Sequence, residues 1–225
     1  DIIPKSRCNE DSDVASRNAN RLGVRNDQIV IDQRSYLDNL MDSVWALEEP
    51  RKSISIPAYL ATNRYMSDRG AVVTLSGDGG DELLAGYKHH KTPSWATRFA
   101  ALRAGHRQMR DPKLQMSIQD MIDYQKGWIP KGCNTGDDLN DFMMIECLSN
   151  LAEDFLIRND KMGMSCSMEG RFPMLSKPFR DFCRSLPGKA KTNEQFYNGG
   201  HLSHNKMLLR DAYRNSMPLE IIDRA

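Results

Sequence analysis

The apolar positions of this chain follow two regimes that meet near residue 90. In the first, short β-branched runs alternate with stretches of helical spacing. "SDVASRNANRL" (12–22) reads as a helix capped by Ser12 or Asp11, with Gly23 just past its end. "QIVI" (28–31) reads as a short buried strand, and 36–47 as a helix carrying Leu37, Leu40, Met41, Val44 and Leu47 on one face. A loop over 48–57 leads to Pro57, which opens a helix running to Gly70. "AVVTL" (71–75) is apolar without polar alternation, which suits a central parallel strand. That order predicts an α/β sheet in which 28–31 and 71–75 are parallel neighbours and helix 58–69 is the crossover.

From about residue 94 the pattern is helical. Its clearest stretch is 142–156, where Met144, Ile145, Leu148, Leu151, Ala152, Phe155 and Leu156 trace one stripe. That stripe reads as core packing rather than a cofactor box. Composition changes little: 40% hydrophobic and 27% charged residues are ordinary for a globular chain of 225 residues. A formal charge of +1 argues against nucleic acid or an anionic membrane as partner. No apolar run approaches the roughly 18 residues that span a bilayer. Five scattered cysteines without a CxxC exclude a disulfide framework and point to a reducing, cytoplasmic setting.

The candidate chemistry lies in "VVTLSGDGGDELLAGYKHH" (72–90): a strand, a glycine-rich turn and a helix. Spaced glycines after a strand resemble a dinucleotide fingerprint. Yet Asp81 and Glu82 in the first helical turn would repel a pyrophosphate docking on bare backbone N–H groups, and no Walker lysine is present. Acids in that position make sense if Mg²⁺ bridges carboxylate to phosphate. They equally suit a helix start whose charges offset the dipole. The residues alone leave both readings open.

Two further stretches extend the pattern, "FLIRNDKMGMSCSMEGRFPML" (155–175) and "NKMLLRDAYRNSMPLEIIDR" (205–224). Together with "LSGDGGDELLAGY", in that order, they resemble the glutamine-dependent (class B) asparagine synthetase family, including its β-lactam-forming relatives. The resemblance implies an ATP-pyrophosphatase core of adenine nucleotide alpha hydrolase type in the first ~90 residues, a parallel sheet followed by a mainly helical half. It implies a partial synthetase domain over 1–225, divided into a nucleotide-binding portion at 1–92 and a helical portion at 93–225. The implied activity is an ATP-dependent ligase that adenylates a carboxylate, aspartate by default. Ammonia then displaces AMP to give the amide. Implied cofactors are ATP and Mg²⁺, with ammonia supplied by a glutaminase domain that this chain lacks; a homodimer is compatible with it.

Carried over by position, Ser76, Gly77, Asp78 and Gly79 resemble the ATP-contacting residues, with Asp78 also beside the acyl-adenylate as the catalytic position. Asp81 matches the magnesium-binding aspartate, with Glu82 supporting it. Ser53, Ser55, Glu169, Arg171 and Lys206 fall on the substrate side, although Glu169 and Arg171, if buried, read more readily as a pair bracing helices than as chemistry. Lys206 and Arg210, a helical turn apart, either face phosphate or are solvated. Departures are Ser176 for an acid, Arg158 for a lysine and Lys161 for an arginine. A Ser-Gly-Gly-x-Asp-Ser signature is expected before residue 1 and the family's catalytic lysine after Ala225, so residues 1–225 alone are expected to be inactive. The rival reading is a non-catalytic remnant serving as an interaction or regulatory module. His89, His90, His201 and His204 read as surface residues, since no third metal ligand is evident.

Overall fold

A computed structural model describes residues 10–51, 53–91, 118–131, 133, 135–192 and 206–223. Helix α1, Glu10–Leu22, ends at Gly23, and Val24 N–H closes back on the Ala19 carbonyl. The sequence placed Ser12 or Asp11 at its cap; both instead lie inside the first turn. The segment after α1 folds back along it. Gln28 Nε2 donates to the Ser12 carbonyl and the Ser16 hydroxyl, and Asn26 Nδ2 also donates to Ser16. Residues 28–31 are therefore not a strand, and Val30 is 87% exposed.

Helix α2, Gln33–Leu47, is capped by Asp32, whose carboxylate accepts the Ser35 N–H at 2.7 Å. Its buried face is Asn39, Ser43 and Leu47, while Leu37, Met41 and Trp45 are exposed. Of the apolar stripe read from the sequence, Leu37 and Met41 are exposed, Leu40 and Val44 half-buried, and Leu47 buried. Arg64 of helix α3, Ile56–Ser67, donates to Asn39 Oδ1 at 2.7 Å and pairs with Asp42 at 2.7 Å. Pro57 opens α3 as expected, and Leu47, Ile56 and Leu60 pack with Met162 in one core cluster.

Strand β1, Val73–Leu75, lies parallel to β2, Glu169–Arg171, in the register Val73↔Glu169, Thr74↔Gly170, Leu75↔Arg171. Ser76 N–H extends the ladder to the Arg171 carbonyl, and Glu169 N–H bonds the Val72 carbonyl, each at 2.9 Å. The expected partner, 28–31, is replaced by a strand nearly a hundred residues later in the chain. The expected central, doubly buried strand is also corrected: Val72 is 68% and Leu75 74% exposed. Among the described residues the sheet has these two strands.

The remaining elements among the described residues are helical. Short helix α4, Gly80–Leu83, leads to a 3₁₀ turn, Lys88–Lys91; helix α5 is Ile118–Lys126. Helix α6, Asp138–Glu146, continues through a π-helical stretch, Cys147–Leu156, into α7, Ile157–Met164. The wider π turns break the even helical stripe: Ile145 and Leu151 are buried while Leu148 is exposed. Helices α8, Lys177–Ser185, α9, Gly188–Lys191, α10, Met207–Tyr213, and α11, Leu219–Ile222, follow among the described residues. A second core cluster joins Leu83, Leu84 and Cys183, with Leu175, Phe179 and Leu209 against it.

Candidate active site

The glycine turn begins where β1 ends. Ser76 Oγ donates to Asp78 Oδ2 at 2.7 Å, and Asn159 Nδ2 of α7 donates to the same oxygen at 3.2 Å. Gly79 sits at φ +89 with Leu175 against it, where any side chain would meet that leucine. Beside the turn is a cavity of about 350 Å³ whose walls include Ser55, Tyr59, Asn63, Thr74, Ser76 and Asn159. Its place at the C-terminal end of a parallel strand is where open α/β sheets bind ligands. The lining side chains are uncharged, and Asp78 is joined to two of them, Ser76 and Asn159, by its hydrogen bonds.

Ser53 and Ser55 lie 3.0 Å apart, and both accept from Nη1 of Arg158, the Ser55 bond being 3.0 Å. Arg158 is buried, between the Tyr59 and Phe155 rings, with Asp154 Oδ1 3.3 Å from its Nε. That contact is an ion pair by distance but poorly aligned, since Nε makes no hydrogen bond. Ser55 lines the cavity and Ser53 does not, although the same arginine holds both.

The acidic pair separates. Asp81 Oδ2 is 2.9 Å from Lys206 Nζ, both side chains about a third exposed. Its carboxylate also lies over Gly86, where any larger residue would collide with it. Glu82 points the other way: it is 2% exposed and accepts from the Tyr87 hydroxyl at 2.6 Å. Burial pushes its carboxyl above the usual range, and burial with the Glu82 bond pushes the Tyr87 phenol well up, so Tyr87 stays a donor. This placement does not offer Glu82 to a cation beside Asp81, contrary to the expectation from the sequence. Arg210 is likewise spent, donating to the Ile222 carbonyl. Glu169 and Arg171 pair with each other at 3.0 Å on β2, each 59% exposed, instead of bracing helices from within.

Sequence reasoning also missed a cluster just beyond the turn. His90 is 1% exposed and His89 half-buried, and both contact the Glu146 carboxylate of α6. The surface reading of these two histidines is thereby corrected; His201 and His204 lie outside the described residues. Nothing local announces Glu146, because 56 residues separate it from His90.

An α/β chain with a glycine-rich acidic turn after a parallel strand is the class this geometry defines. The family model described as Asparagine synthase matches residues 4–225, and the chain belongs to that family. It is similar to "Asparagine synthetase [glutamine-hydrolyzing] 1" of Bacillus subtilis (strain 168), at 24% identity over an alignment of 256 residues covering 94% of this chain. It is also similar to "Amidase chyE" of Penicillium rubens, at 32% identity over 78 residues, or 35% of this chain and 12% of that protein. The chain spans 39% of the length of the Bacillus relative.

Proposed function

We propose that this chain supplies the synthetase portion of an ATP-dependent, amide-forming ligase that adenylates a carboxylate, with aspartate the first acid to test. The observation that carries the reading is Asp78, oriented by Ser76 and Asn159, beside the cavity at the end of β1. The uncharged walls suit the neutral polar part of a nucleotide, with Ser55, Thr74, Ser76 and Asn159 as hydrogen-bonding groups. Asp78, fixed by two donors to one oxygen, is positioned to act on the acyl group or the incoming ammonia without reorganising.

The donor set accommodates magnesium in part. Asp81 would hold it, with one oxygen on Lys206 and a third of the side chain exposed, while buried Glu82 would not. Bound there, Mg²⁺ supplies the positive charge that draws pyrophosphate to an acidic turn. Lys206, resting against Asp81, is the side chain that must change partner when phosphate or a cation arrives.

The Asp81–Lys206 pair also favours a second reading, a non-catalytic module in which the acid is permanently neutralised. Aspartate-dependent ATP–pyrophosphate exchange by the full-length protein separates the two. The ligase reading expects magnesium-dependent exchange that Asp78→Asn removes. A folded protein that exchanges with no carboxylic acid tested would leave the module.

A further inference from the structure

The glycine turn runs on into Tyr87, His89 and His90, which meet the C-terminal end of α6. His89 Nε2 lies 2.5 Å from Glu146 Oε1, and His90 Nε2 contacts Glu146 Oε2. One ligand atom from each of the three side chains falls within 4.8 Å of the others. We propose that His89, His90 and Glu146 form a binding site for a transition-metal cation of the zinc class, separate from the acidic turn. It would pin the segment after that turn to α6.

The donors decide the class of ion. Two imidazole nitrogens and one carboxylate oxygen suit zinc, cobalt or nickel, whereas magnesium takes an all-oxygen shell. The surroundings favour a cation as well. Glu146 is 3% exposed, and the Phe142 ring stands edge-on to both imidazoles at 5.8 and 6.1 Å. Tyr87 stacks on His89 at 5.3 Å. A carboxylate set among aromatic rings is costly unless a positive partner compensates it. His89, with 21% of its side chain exposed, is the side from which solvent reaches the cluster, and a water there would complete four ligands. Cys147 follows Glu146 in the chain but is no ligand. Its sulfur is not among the ligand atoms that converge there.

Proton balance sets a condition on binding. Tyr87 N–H donates to His90 Nδ1 at 3.3 Å, which leaves the ring proton on Nε2, facing Glu146. A cation at Nε2 sends that proton to Nδ1. Nδ1 then carries a proton where it had accepted one, and the long Tyr87 bond opens. Metal binding should therefore register at the Tyr87 amide as well as at the ligands.

The test is Co²⁺ titration of the purified protein without nucleotide, read by visible absorption and thermal unfolding, so it is independent of the ligase reading. The wild type is expected to bind one Co²⁺ with d–d bands, to lose them on adding Zn²⁺, and to unfold at a higher temperature with metal. His89→Gln, at the partly exposed position, should weaken binding at least tenfold, as should Glu146→Gln if that variant folds. His201→Asn with His204→Asn should change nothing. Absence of bands and of a thermal shift in the wild type overturns the proposal. So does a folded His89→Gln protein that binds as tightly as the wild type.

Discussion

At the scale of single residues, Asp81 and Glu82 show how far two adjacent carboxylates can diverge. Asp81 keeps a third of its side chain in solvent and holds Lys206, an ion pair worth at most about 1 kcal/mol at that exposure. In the full-length protein, Asp81→Asn should slow turnover roughly a hundredfold or more if the carboxylate carries a magnesium contact. Stability should change by no more than about 1 kcal/mol. Steady-state rates and urea midpoints on the same preparations check both halves; unchanged turnover assigns Asp81 to Lys206 alone. Glu82 makes a pH prediction. Its folded-state carboxyl sits above the ordinary 4.5, so the folded protein holds that proton more tightly than the unfolded chain. The resulting stabilisation is complete below about pH 4.5 and is lost as pH rises through the elevated value. Glu82→Gln, which can still accept from Tyr87, should match the wild type at acidic pH and be the more stable at neutral pH in urea denaturation.

At the scale of elements, Asp137 holds the start of the long helical run. One oxygen accepts the Leu139 and Asn140 N–H groups at 3.0 Å, and the other accepts Gly188 N–H at 2.8 Å, joining α6 to α9. Burial alone would raise its carboxyl, but these backbone bonds outweigh it and hold the group below the ordinary 3.8. That stability is present above the ordinary value and is lost as pH falls through the depressed one. Asp137→Ala should cost about 1–2 kcal/mol at neutral pH. Urea midpoints across the acid range should show that Asp137→Asn, which cannot titrate, flattens part of the acid destabilisation. The two strands offer a different check. Amide exchange should find the N–H groups of Ser76 and Glu169 protected, because each bonds across the sheet. The N–H of exposed Val30 should exchange fast; protection there would restore the strand expected at 28–31.

At the scale of the whole molecule, local signals were legible because their physics is local. The Gly23 stop, the Pro57 start and the strand before the glycine turn each depend on a few neighbouring residues, and each is where it was expected. The family, too, was readable from three ordered motifs, since they follow the chain itself. Partnership across distance was not readable. A β-branched run says that it can pair, not with what, and β1 took Glu169–Arg171 while 28–31 spent its neighbours on α1. An apolar helical face says that it can be buried, not how much of it is: Leu37 and Met41 of α2 are exposed, while Asn39 and Ser43 are buried beside Leu47. Side-chain chemistry obeys the same division. The sequence determined that carboxylates and histidines cluster around residues 78–90. Only the tertiary structure decided that Asp81 faces Lys206, Glu82 faces Tyr87, and the two histidines face Glu146. Two of those three partners are supplied by distant segments, and a charge's partner depends on separation in space, to which spacing along the chain is no guide.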